Sequence, residues 1–75
     1  MKELDQIVLI GDLPDHALAD GDVGTVVHAH RGGSGFEVEF VTLTGDTVAV
    51  VSLAASRVRA ASPREIANAR QVASV

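Results

Sequence analysis

The run Gly21-Asp22-Val23-Gly24-Thr25-Val26-Val27-His28-Ala29-His30, followed across Arg31-Gly32-Gly33-Ser34-Gly35 by Phe36-Glu37-Val38-Glu39-Phe40-Val41, decides the fold. The later stretch alternates apolar and charged residues, so Phe36, Val38 and Phe40 fall on one face of a strand and Glu37 and Glu39 on the other. These phenylalanines are the only Phe, Tyr or Trp residues of the chain, and the alternation assigns them to its core. The earlier stretch is rich in Val and Thr, which fit extended backbone. It carries Gly24 inside the strand, where a glycine marks a bulge or sharp bend that lets one strand serve two sides of a small barrel. The intervening glycines are free to take positive φ, and the pair reads as a hairpin.

Upstream, Gln6 to Ile10 is short, β-branched and followed at once by Gly11, Asp12, Pro14 and Asp15, so it reads as a first strand. Gly11 to Gly21 is a loop in which His16-Ala17-Leu18-Ala19 can make one helical turn that drops Leu18 onto the core. Downstream, Thr42-Leu43-Thr44-Gly45-Asp46 is a tight turn and Thr47 to Leu53 a fourth strand whose facing the pattern leaves open. Ala54-Ala55-Ser56 then turns the chain into a last strand, Arg57 to Ala60, which closes the sheet and hides its edges. The expected fold is mainly β, a small barrel of about five antiparallel strands over residues 1–61 that resembles the SH3-like barrels with their long first loop. Ser62-Pro63-Arg64-Glu65 is a capping-box pattern with proline at the first helical position, which predicts a short C-terminal α-helix within residues 62–75. Its stripe of Ile66, Ala69 and Ala73 is weakly apolar, so the helix is marginal unless it packs on the barrel or on a partner.

Seventy-five residues leave no room for a second domain with its own core. Surface scaling gives roughly 4,400 Å² folded against about 11,000 Å² unfolded, so the core is small. The chain has no cysteine, which removes disulfides, thiolate metal sites and a cysteine nucleophile, and fits a cytoplasmic location. The apolar run Ile7 to Ile10 is far too short for a signal-peptide core or a membrane span, so neither secretion nor membrane insertion is expected. A formal charge of −4, with basic residues that do not cluster, lacks the electrostatic footprint of phosphate-backbone binding. Nucleic acid is not an expected partner.

Asp12-Leu13-Pro14-Asp15, Gly21-Asp22-Val23-Gly24-Thr25-Val26-Val27 and Phe36-Glu37-Val38-Glu39-Phe40, with Gly45 and Thr47 following, resemble the bacterial family named domain of unknown function 4926. The resemblance covers about Leu4 to Arg59. Its Gly-Asp-Val-Gly-Thr-Val core is also similar to KOW-type and nitrile-hydratase β-type SH3-like barrels. Glycine and valine at this spacing report a barrel corner and not a reaction. The resemblance implies a small accessory or antitoxin-like protein beside a larger protein encoded nearby, with no catalytic residue to carry over. The segment beyond Ser62 lies outside it.

The residues themselves offer little chemistry. His28 and His30, two apart on a strand, can present two imidazoles to Zn²⁺, Cu²⁺ or Ni²⁺. A stable site needs a third ligand and usually a fourth, and only His16, Asp20 and Asp22 offer themselves, so exposed hairpin histidines are the plainer reading. Glu37 and Glu39 share a face at about 7 Å, loosely the spacing of a carboxylate pair, but nothing nearby would raise one pKa. Their plainer role is to guard an exposed strand against edge-to-edge pairing. The serines lie in turns, strands and caps, none beside a histidine base, and Gly32-Gly33-Ser34-Gly35 lacks the lysine and the helix of a phosphate loop. Arg57 and Arg59 on the last strand, with Arg64, Ile66 and Arg70 beyond them, are the candidate contact for a protein partner, because paired arginines make forked anchors for carboxylates.

The expectation is therefore a non-catalytic, cytoplasmic protein-binding module of accessory, antitoxin or immunity type, using no cofactor and no metal. Its alternatives are a KOW-like RNA- or ribosome-associated module, which would need a basic, aromatic-bearing loop, and a homo-oligomer that buries the C-terminal helix between subunits.

Overall fold

The computed structural model describes residues 1–72. Its strands are β1 (Gln6–Leu9), β2 (Val23–Ala29), β3 (Gly35–Val41), β4 (Thr47–Ala54) and β5 (Val58–Ala60), with 3-10 turns at Pro14–His16, Arg31–Gly33 and Ala55–Arg57. All neighbours pair antiparallel, in the order β4-β3-β2-β1-β5. β4 and β5 sit at opposite ends of this order although only Ala55–Arg57 separates them. In a flat sheet four strand spacings would hold them about 19 Å apart. The four Cα steps from Ala54 to Val58 reach at most about 15 Å, and less in a 3-10 turn, so the sheet must curl. It does not close, because β5 pairs with β1 alone among the described residues. The expectation that the last strand hides the edges is thereby corrected: β4 and β5 are both edges of one open, mainly β sheet.

The inner face carries the core: Ile7, Leu9, Leu18, Val26, Phe36, Val38, Phe40, Val51, Leu53 and Val58. Alternation along β3 places its two phenylalanines and Val38 as the sequence leads one to expect. The open question in β4 resolves with Val51 and Leu53 inward and Val50 outward at 55% exposure. In the first loop the helical turn falls at Pro14–His16, ahead of the expected His16 to Ala19. Leu18 still reaches the core, held by a bridge to Leu13.

Gly24 is a site of close approach. A Cβ there would stand 2.5 Å from Val38 Cγ1 and 2.9 Å from Phe40 Cε1. The bulge itself lies further along β2, where the register shifts between Val26 and His28. That shift leaves Val26 facing the core, places His28 across from Glu37 and pairs Ala29 with Phe36.

The expected C-terminal α-helix does not form over 62–72, and the last three residues of that expectation lie outside those described. The capping box is half made: Ser62 N–H donates to Glu65 Oε1 at 2.7 Å, and Glu65 N–H to the Ser62 carbonyl at 3.1 Å. One turn at Pro63–Arg64 follows, and the chain then runs without regular structure. Helix propagation needs an apolar face to pack. Here Ile66 is 92% exposed, and Arg59 and Arg70 tie the segment to the sheet at two separated points.

Candidate functional site

β1 shows how the C-terminal segment is placed. Ile7 and Leu9 point into the core, so Val8 between them points outward, in register with Val23 of β2 and Arg59 of β5. Val8 is nevertheless only 6% exposed and stands outside the core cluster. At the β5 side Arg59 forks onto Glu65, with Nη1 to Oε1 at 2.8 Å and Nη2 to Oε2 at 2.6 Å. On the β2 side Arg70 forks onto Asp22, with Nε to Oδ1 at 2.8 Å and Nη2 to Oδ2 at 2.5 Å, and Nη2 also donates to the Ala17 carbonyl at 2.8 Å. Because β1 lies between β5 and β2, the segment from Glu65 to Arg70 runs from the β5 side of β1 to its β2 side as a strap fastened at both ends, which fits the low exposure of the outward-facing Val8.

The electrostatics match this geometry. The Arg59 guanidinium, together with the Ser62 amide, holds the Glu65 carboxyl down to about 2. Arg70 holds the Asp22 carboxyl below its ordinary range, aided by the Ala19 amide. Both guanidinium groups are shifted upward by the same contacts. Between the two anchors Ile66 projects into solvent at 92% exposure.

The residues expected at a partner contact thus come together in part. Arg59, Ile66 and Arg70 belong to one strap. Arg57 stands apart from it and braces the long loop, donating from Nε to the Ile10 carbonyl at 2.8 Å and from Nη2 to the Asp12 carbonyl at 3.2 Å. Asp20 and Asp12 stitch the same loop, each accepting from a backbone amide through Oδ1: Asp20 from Gly11 and Asp12 from Asp20.

On the far side of β2, His28 and His30 lie with ring centroids 5.7 Å apart. His30 Nε2 meets Glu37 Oε2 at 2.7 Å, and His28 Nδ1 stands 3.9 Å from Glu3 Oε1. Among the described residues no three metal-ligating side chains converge. Ser52 Oγ also donates to Glu37 Oε2, at 2.6 Å, and this bond first and His30 second hold the Glu37 carboxyl low. Glu39 accepts from Thr47 Oγ1 at 2.9 Å. Both glutamates therefore tie β3 to β4 from an interior strand, so the expected role as edge guards is corrected.

Sequence reading missed Asp22 and Glu65 as strap anchors, and Val8 as the covered residue. The unbroken apolar run Ile7 to Ile10 was the available signal, since a strand apolar on both sides is one covered on both sides. A shallow depression lined by Leu4, Asp5, Gln6 and Ala60 to Pro63 adjoins the strap, and its one carboxylate, Asp5, is already held by Lys2. Among the described residues no helix is long and apolar enough to cross a membrane.

These features define a small, mainly β domain of one curled antiparallel sheet with a fastened C-terminal strap. The chain belongs to the family described as Domain of unknown function (DUF4926), whose model matches residues 3–60. No curated protein and no solved structure matches it.

Proposed function

We propose that this chain is a small non-catalytic protein-binding module on an SH3-like curl, an accessory, antitoxin- or immunity-like protein that binds a protein encoded nearby in the cytoplasm. The observation that carries the reading is Ile66, an almost fully exposed branched side chain on a strap fixed at both ends by forked ion pairs. Fixing a contact residue before binding removes part of the ordering cost of association. In this reading Ile66 is the contact, Arg59 and Arg70 set its position, and Arg57 keeps the neighbouring loop in place. A binding role is also supported by the way Ser52, His30 and Glu37 are connected: serine and histidine both address one carboxylate oxygen, so the hydroxyl proton has no histidine base to go to. The absence of cysteine fits the proposed compartment.

The test is calorimetric titration of the chain against the purified product of the adjacent open reading frame. Wild type binds, and Ile66→Asp loses about tenfold or more in affinity while melting like wild type. Equal affinity of the two proteins, no binding by wild type, or turnover of a substrate by the pure chain would overturn the reading.

A further inference from the structure

The two edges of the sheet are built differently. β5 has three residues, carries Arg59 and lies at the root of the strap, so it shows the usual devices that stop a strand from recruiting another. β4 has eight residues, Thr-Val-Ala-Val-Val-Ser-Leu-Ala, with no charge and no proline. Its one irregularity is the register shift at the Thr47 end, which leaves Ala49 to Ala54 regular. Nothing among the described residues pairs with its outer side.

The orientation of its backbone groups follows from the β3 ladder. Ala55 N–H donates to the Ser34 carbonyl, so odd-numbered residues of β4 bond toward β3. Val50, Ser52 and Ala54 therefore direct their N–H and C=O groups away from the sheet, while their side chains lie on the outer face.

We infer that this edge pairs with the same edge of a second copy, joining two sheets into one of ten strands. A two-fold axis normal to the sheet keeps inner face against inner face, so the register must centre on a residue. Centring on Val51 uses the regular stretch best: Val50 and Ser52 exchange both hydrogen bonds with the partner copy's Ser52 and Val50. On the inner side Ala49 lies opposite Leu53, small against large. Charge permits self-pairing, since neither edge carries any; the nearest acidic row, Glu37 and Glu39, sits on β3, with three strand spacings, about 14 Å, between the two copies' rows. The homo-oligomer expected from the sequence buries the C-terminal helix, whereas here a strand makes the contact. The inference does not rest on Ile66.

Sedimentation and amide exchange test it together. A contact this narrow gives a weak dimer, with a dissociation constant of about 10 µM to 1 mM. The wild-type mass should double across that range, and the amides of Val50 and Ser52 should gain protection with concentration, since they have no acceptor within one copy. Val50→Pro, which removes only an outward N–H, should weaken the dimer by about thirtyfold, the loss of two edge bonds per dimer. Val50→Lys places a charge at an already exposed side chain and should also weaken it, and wild-type exchange decides the matter even if the proline variant misfolds. A monomer at about 1 mM, a dimer whose Val50 and Ser52 amides exchange freely, or protection of those amides only when another protein's strand is added would each overturn the inference.

Discussion

Arg70 and Asp22, 48 residues apart in the chain, are joined by a two-pronged ion pair that ties the C-terminal segment back to the start of β2. The Asp22 side chain is only 18% exposed, so the pair is better shielded than a typical surface contact, although Arg70 is 37% exposed.

Arg70→Gln should free the strap without unfolding the sheet. Trypsin cleavage after Arg64 should then accelerate several-fold, while the melting temperature falls by at most about 8 °C, the shift that 1 kcal/mol produces in a domain of this size. Unchanged cleavage would mean that the ion pair holds nothing.

Gly24→Ala should destabilise the fold by about 1–3 kcal/mol, because the added methyl meets Val38, Phe40 and the Glu39 carbonyl in a closed space. The urea midpoint reports this directly. An unaltered midpoint would show that β2 and β3 can separate at this point without cost.

Ala17 takes a left-handed conformation, φ 59 and ψ 28, to turn the loop and aim its carbonyl at Arg70. A side chain there is disfavoured, so Ala17→Gly should stabilise the protein by about 0.5–1 kcal/mol after the entropy of glycine is set against the strain relieved. A lower melting temperature would contradict this.

The anchors also carry a pH dependence. Glu65 and Asp22 both have folded-state pKa values below their unfolded ones. Their contribution is therefore complete above the unfolded carboxylate range and is lost as pH falls toward about 2, where Glu65 takes up its proton. The Glu65 side-chain carbon should titrate in NMR near that value in wild type and within the ordinary carboxylate range in Arg59→Ala. Titration within the ordinary range in both would show that the fork is not formed in solution.

The sheet was legible in the sequence because period-two alternation at Phe36 to Phe40 and β-branched runs elsewhere are local signals. Gly24 was legible as special but not as a close approach, since Val38 and Phe40 come against it only through pairing of β2 with β3. The C-terminal helix was misread for a related reason. A capping box at Ser62 and Glu65 starts a turn, but whether it continues depends on competing contacts, and those come from Arg59, drawn onto β5 by its pairing with β1, and from Asp22, 48 residues before Arg70. The openness of the sheet was likewise invisible, because the short Ala55–Arg57 turn tells where β5 begins and not which strand it will pair with.

The strap itself can be measured by NMR of the wild-type protein, through Cα secondary shifts over residues 63–72 and nuclear Overhauser contacts from residues 65–70 to the Val8 methyls. Non-helical shifts together with contacts to Val8 are the predicted result. Helical shifts over that segment, or a Val8 side chain free of contacts to it, would contradict the account.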